Sequence, residues 1–258
     1  MNIIGIIPAR LKSTRLPEKM LLKLKGKPLI AHVYLNARKS SLIKALYVAT
    51  DSPKIRKAVE AVGGKVIMTP ASCRSGSERI KEALKRLKAC GNDIIVNIQG
   101  DEPLLEPRLI DRTVKALMTD KDCEAATLAS PIREKKEIEE PSVVKVVIGV
   151  DNRALYFSRA AIPFDRDGNK RGAVLKHIGL YAYRKGVLDR WQRLESRYEQ
   201  VEKLEQLRLI ENGIGIKVVV AKSRSIGVDT KKDAARVRKL MQPVSYQLSS
   251  FANKIKEV

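Results

Sequence analysis

Short apolar runs alternate with amphipathic helical patterns from residue 2 to residue 118, and no other feature constrains the fold of this chain as much. Residues 2–7, 45–49, 65–68 and 93–98 read as strands, the last being the clearest buried run. Residues 28–39, 53–62, 77–90 and 107–118 carry apolar positions at helical spacing. A β-α unit repeated in this way needs right-handed crossovers and predicts a doubly wound, mostly parallel sheet, an α/β fold.

The middle of the chain breaks the pattern. Residues 124–130, 145–150 and 176–183 read as strands with loops between them and no long helix, which predicts a small antiparallel inserted lobe at 130–185. A helix at 201–212 closed by Gly213, a strand at 216–221 and a helix at 231–241 then follow. With no internal repeat and no low-complexity linker, the 258 residues are expected to form a single domain, 1–258, carrying that lobe. A domain of this size buries roughly 70–75% of its unfolded surface and needs no disulfides. Cys73, Cys90 and Cys123 are odd in number and lack C-x-x-C spacing, which argues against a disulfide framework or a structural zinc and for a reducing cytosol. The longest stretch free of Lys, Arg, Asp and Glu, 240–253, is too short and too rich in Ser and Gln to span a bilayer. The start of the chain is strand-like without a basic leader, so no signal peptide is expected and the cytoplasm is the expected location.

A net charge of +22 attracts polyanions, and nucleic acid is the first candidate. Aromatic residues make up only 4% of the chain, so stacking platforms for bases are scarce, and the basic residues are spread out instead of forming a block. A small-molecule enzyme with phosphate substrates uses the same field, so charge alone leaves both readings open.

In open α/β sheets ligands bind at the carboxyl ends of the strands. The first strand runs into Pro8-Ala9-Arg10-Leu11-Lys12-Ser13-Thr14-Arg15-Leu16-Pro17-Glu18-Lys19, which is neither a Walker A loop nor a G-x-G-x-x-G fingerprint. Its cations and hydroxyls describe either a solvated basic turn or an anion cradle. Asp101 follows the best strand in a Gly100-Asp101 pair, which forms either an Asx-type turn or one side of a hard-cation site. Asp229 precedes Thr230 and Asp233, whose capping box would start the last helix without it. Two such carboxylates suit Mg²⁺, which takes one or two carboxylates together with substrate phosphates. Ser75 and Glu78 can cap a helix whose start can also receive an anion. Alternation puts His177, Gly179, Tyr181 and Tyr183 on one face of an interior strand, which suggests a ligand-facing wall. His32 lies in an apolar helix and reads as core.

Taken together, these stretches resemble the 3-deoxy-manno-octulosonate (Kdo) cytidylyltransferase family. The matching segments are IIPARLKSTRLPEK at 6–19, GKPLIAHV at 26–33, VATD at 48–51, SGSER at 75–79 and VNIQGDEP at 96–103. VKVV at 144–147, ALYFSRAAIP at 154–163, HIGLYAY at 177–183, LEQLR at 204–208 and GVDT at 227–230 continue them in family order. The resemblance implies a nucleotide-diphospho-sugar transferase-like fold and a transfer that turns CTP and Kdo into CMP-Kdo and pyrophosphate, for lipopolysaccharide assembly. The anomeric hydroxyl attacks the α-phosphate in line, chemistry that needs charge neutralisation and positioning more than a protein nucleophile.

Carried over onto this sequence, the resemblance implies that Ala9, Arg10, Arg15 and Lys19 hold the triphosphate, with Asp51, Ser75, Gly76 and Arg79 on the cytidine side. Asp101 and Asp229 would carry Mg²⁺, and Lys19, Arg15, Asp101 and Asp229 form the implied catalytic set. Gln99, Arg159, Arg166, His177, Tyr181, Glu205 and Gln206 would recognise the sugar, the two guanidiniums suiting its carboxylate. The lobe at 130–185 would help form a homodimer.

Two departures from the family pattern stand out. Ser72-Cys73 replaces the Asp-His pair that many relatives carry before SGSER, which opens the specificity to 8-amino-Kdo or sialic acid as alternatives to Kdo. The tail after Pro243 is long, with Val244, Leu248, Phe251, Ile255 and Val258 forming an apolar helical stripe suited to docking on its own domain or on a second subunit. The loop-rich 164–175 segment suggests a lid over the sugar. A basic nucleic-acid-binding protein on this fold is the alternative of a different class, and it predicts steep salt dependence of polyanion binding.

Overall fold

The computed structural model describes residues 1–13, 15–73, 75–87, 89–132, 134–167 and 174–241. The tail stripe expected beyond residue 243 and the central part of the 164–175 segment lie outside the described residues.

The first half alternates as expected. Strand β1 (Ile3–Ala9) leads into a basic loop and a small hairpin, β2 (Lys23–Leu24) and β3 (Lys27–Pro28), before helix α1 (Leu29–Ala37). Then come β4 (Ala45–Thr50), α2 (Pro53–Glu60), β5 (Lys65–Met68), α3 (Gly76–Leu84), β6 (Ile94–Asn97) and α4 (Pro107–Thr119). The second half contains β7 (Cys123–Pro131), a short α5 (Lys135–Glu139), β8 (Lys145–Ile148), β9 (Ala154–Ser158) and β10 (Leu175–Arg184). After α6 (Lys185–Arg190), α7 (Arg197–Glu202) and α8 (Leu207–Glu211), the chain ends its described part with β11 (Gly215–Val220) and α9 (Lys231–Leu240).

The main sheet runs β11-β7-β10-β6-β1-β4-β5, with β8 and β9 branching from β10. Pairs β1–β4, β1–β6, β4–β5 and β7–β11 are parallel, while β10 is antiparallel to both β6 and β7. The doubly wound, mostly parallel mixed sheet is therefore present, but two details differ from the sequence reading. The strand read as part of an inserted lobe, β10, occupies the centre of the sheet, and only β8 and β9 form the antiparallel branch. Its Ile178, Leu180 and Ala182 enter one core layer and Tyr181 and Tyr183 the other, so both faces are covered. The single helix expected at 201–212 is two short ones, because Lys203 adopts a left-handed conformation (φ 55°) that ends α7. That break lets Leu204, Leu207 and Leu209 all pack beneath the sheet.

β1 shows the local logic. Ile3 and Ile7 enter one layer and Ile4 and Ile6 the other, as period-2 geometry requires of a strand covered on both faces. A third, smaller cluster of Leu16, Leu24, Leu29, Val228, Ala234 and Val237 fastens α9 to the β2–β3 hairpin. Helices leave the sheet in different directions after β1 and after β6, which are neighbours. This is the topological switch point, where open α/β sheets bind ligands.

Candidate functional site

A cleft of about 360 Å³ opens at the carboxyl ends of β1 and β6. The end of β1 supplies Pro8 and Ala9, the loop after it Arg10, Lys12, Ser13, Arg15 and Lys19, and the turn after β6 supplies Gln99, Gly100 and Asp101. Gly100 makes the approach of these two segments possible, since a Cβ there would stand 3.1 Å from the Pro8 carbonyl oxygen and 3.2 Å from Met20 Cε. On one wall α3 begins with its N-terminus at the cleft. Ser75 caps it by accepting the Glu78 N–H at 3.2 Å, and the exposed end of the helix favours an anion.

At the floor, Lys19 Nζ donates to Asp101 Oδ2 at 2.6 Å and to Asp229 Oδ1 at 2.8 Å, while Arg15 pairs with Asp229 Oδ2 at 2.9 Å. Burial alone would lower the Lys19 pKa, but Asp101 and Asp229 outweigh it and raise the value above the ordinary lysine range. The expected capping box of Thr230 and Asp233 is present, so Asp229 is not consumed in starting α9. The two carboxylates converge on the Lys19 ammonium, and among the described residues no group of three or more His, Cys, Asp and Glu is gathered as a metal site. This donor set fits a hard divalent cation that completes its shell with phosphate oxygens and water.

Arg79 is buried, with Nη1 donating to Thr69 Oγ1 at 2.6 Å and Nη2 lying 3.6 Å from Asp51 Oδ2. Asp51 thus sits behind Arg79, and its buried Oδ1 has no hydrogen-bond partner among the described residues. Cys73 lines the same wall, its thiol pKa raised chiefly by burial.

Of the residues singled out in the sequence, the structure brings together Ala9, Arg10, Arg15, Lys19, Ser75, Gly76, Arg79, Gln99, Asp101, Glu205 and Asp229 around this cleft. Others stand apart from it. The Arg159 guanidinium donates to the backbone carbonyls of Glu202 at 2.8 Å, Pro141 at 3.0 Å and Lys203 at 3.5 Å, bracing the lobe instead of facing the cleft. Arg166 is exposed on the 164–167 segment. His177 Nε2 shares a hydrogen bond with Thr127 Oγ1 at 2.9 Å and packs between Phe157 and Tyr181, and burial lowers its pKa to about 3. The supposed ligand-facing wall is therefore a buried aromatic row in which Tyr181 and Tyr183 stack at 5.4 Å and Trp191 meets Tyr183 edge-on. The lobe and α6 cover this face, which alternation along one strand does not reveal. Glu205 stands beside the row. Burial first, and then this carboxylate, hold the Tyr183 phenol well above the usual range. Gln206 is buried next to Glu205 in the chain, and its Nε2 and the Tyr181 hydroxyl lack hydrogen-bond partners among the described residues. His32, read as core, is half-buried and bonded to the Leu24 carbonyl at 2.6 Å.

The sequence reading missed Met20, which closes the floor under Gly100, and Glu102, whose carboxylate accepts from Ser225 Oγ at 2.6 Å. Burial, reinforced by the Asp101 charge, pushes Glu102 up to about 7. Its place directly after Asp101 was the available signal.

A family profile described as "Cytidylyltransferase" matches residues 4–222. The 3-deoxy-manno-octulosonate cytidylyltransferase of Syntrophobacter fumaroxidans is 47% identical over 239 residues, covering 92% of this chain and 96% of the relative. The 8-amino-3,8-dideoxy-manno-octulosonate cytidylyltransferase of Shewanella amazonensis is 44% identical, covering 92% of this chain and 97% of its own. A solved structure of CMP:2-keto-3-deoxy-manno-octonic acid synthetase complexed with CTP superposes with a TM-score of 0.87 at 42% identity, covering 93% of this chain and 98% of that one. A putative glucose-1-phosphate thymidylyltransferase from Bacillus anthracis, at 15% identity and a TM-score of 0.66, shares the fold.

Proposed function

The chain belongs to the cytidylyltransferase family, and on that premise we propose that it joins the cytidylyl group of CTP to the acidic sugar Kdo, releasing pyrophosphate. The observation that carries this reading is the cleft itself, where the cations of the loop after β1 and the start of α3 face the convergent pair Asp101 and Asp229.

Arg10, Lys12 and Arg15 bind the triphosphate and neutralise the charge that grows on the departing pyrophosphate. Lys19, held at the floor, presents its ammonium where the phosphates meet the two carboxylates. The N-terminus of α3 adds backbone N–H groups without a counter-charge. Arg79 lines the nucleoside side, and Asp51 stands behind it with Oδ2 3.6 Å from Arg79 Nη2. Gln99 and Glu205 line the part of the cleft left for a polyhydroxylated sugar, offering it a carboxamide and a carboxylate. Asp101 and Asp229 would hold Mg²⁺, which supplies charge neutralisation for phosphoryl oxygens when bound.

We extend the reading to a homodimer. Val150 and Leu155 on the β8–β9 hairpin and Val201 on α7 are exposed at 107%, 59% and 81%, and Tyr156 and Tyr198 join these elements through a 6.3 Å ring contact. Exposed apolar side chains of this kind suit self-association. A cytoplasmic location and a role in supplying lipopolysaccharide assembly follow from the reaction. Among the described residues no helix is long and apolar enough to cross a membrane.

Pyrophosphate release from CTP and Mg²⁺, with Kdo, 8-amino-Kdo and sialic acid in parallel and EDTA as control, tests the proposal. Release with Kdo is expected. Release only with another sugar keeps the mechanism and moves the specificity, and silence with all three from folded protein overturns the reading.

A further inference from the structure

The turn that carries Asp101 and the segment that carries Asp229 are fastened to each other by two contacts. Val228 N–H donates to the Asp101 carbonyl at 2.9 Å, a backbone bond that any residue pair can make. The Ser225 hydroxyl donates to Glu102 Oε2 at 2.6 Å, a bond that depends on side chains. Ser225 is itself fixed, its N–H bonded to Ser223 Oγ at 3.1 Å. One carboxylate therefore links the turn after β6 to the segment leading to α9. The serine hydroxyl donates one hydrogen, and a carboxylate, with two acceptor oxygens and no donor, can accept it at either oxygen. An amide side chain offers only one acceptor oxygen.

We propose that Glu102 is a positioning residue for the cation site, holding the Asp229 segment against the Asp101 turn so that the two carboxylates converge. The proposal rests on the reading that Asp101 and Asp229 hold the divalent ion. Groups that orient metal ligands are typically worth 10–100-fold in metal affinity or activity when removed.

The test uses the full chain with CTP present and Mn²⁺ as probe, its free concentration read by electron paramagnetic resonance, alongside the Mg²⁺ dependence of pyrophosphate release. Glu102→Ala is expected to weaken Mn²⁺ binding about 10–100-fold and to raise the half-saturating Mg²⁺ concentration in parallel, with kcat at saturating Mg²⁺ falling much less. Ser225→Ala is expected to weaken Mn²⁺ binding at least threefold, Glu102→Gln to fall between wild type and Glu102→Ala, and the Ala/Ala double variant to be no worse than Glu102→Ala. Mn²⁺ affinity within twofold of wild type in Glu102→Ala overturns the proposal, whatever happens to thermal stability. Should Glu102→Ala not fold, unchanged affinity in Ser225→Ala overturns it instead. Asp101→Asn and Asp229→Asn run beside them, and if those also leave Mn²⁺ affinity unchanged, it is the cation site itself that fails.

Discussion

The side chain of Gln99 fills the space that a Cβ on Gly179 would need, with its Cγ 2.7 Å from that position. β10 thus passes so close to the turn after β6 that only glycine lets Gln99 lie along it and reach the cleft. Gly179→Ala is expected to push Gln99 aside, raising KM for the sugar about tenfold, worth ~1.4 kcal/mol. Overpacking would cost ~1–3 kcal/mol of stability. KM for CTP is expected to move less than twofold, and steady-state kinetics with each substrate varied checks this. Equal sugar KM in both proteins would remove Gln99 from the sugar end.

Lys19 is only 12% exposed between two carboxylates, so Lys19→Met leaves Asp101 and Asp229 facing each other with Arg15 as the remaining partner. The loss of charged hydrogen bonds is expected to cost about 1.5–3 kcal/mol in metal-free urea unfolding. Activity is expected to drop about 10²–10³-fold, the range for removing a group that stabilises developing charge. Activity within threefold of wild type would show that Lys19 serves the fold alone.

Acid stability is expected to depend on His177. Burial lowers its folded pKa to about 3 from the ordinary histidine value of 6.5, so between those values the unfolded chain binds a proton that the folded one refuses. The stability contribution is fully present above pH 6.5 and is lost as the pH falls towards 3. His177→Gln keeps a partner for Thr127 and does not titrate there. Its Tm is expected to fall less than that of the wild type between pH 6.5 and 4, measured by differential scanning calorimetry. Parallel Tm curves would refute this.

Arg159→Lys distinguishes bracing from recognition. A lysine cannot span the carbonyls of Pro141, Glu202 and Lys203. A Tm lower by roughly 4–8 °C is expected for a loss of about 2 kcal/mol in a chain of this size, with sugar KM unchanged. A tenfold rise in sugar KM with unchanged Tm would instead put the guanidinium on the substrate carboxylate.

The sequence already carried the parallel half of the sheet, because the strands and helices through α4 are local patterns with a fixed handedness of connection. It also carried the cleft, since the loop after β1, Asp101 and Asp229 each stand at a strand end or helix start. What it could not carry is pairing at a distance. Nothing in the spacing around 175–184 says which strands lie beside it, because an apolar run reports burial and not pairing partners. The break at Lys203 is a single left-handed residue with no glycine to announce it. Arg159 offers a guanidinium to a sugar or to carbonyls with equal chemistry, and only the placement of Pro141 and Lys203 decides.

The central position of β10 also orders events during synthesis. β6 pairs with β1 on one side, but its other edge finds a partner only when residues 175–184 have left the ribosome. At about 5–20 residues per second, the nascent chain spends several seconds with that row of backbone donors and acceptors open to other chains. Slower translation between residues 98 and 175 lengthens that exposure, and faster translation shortens it.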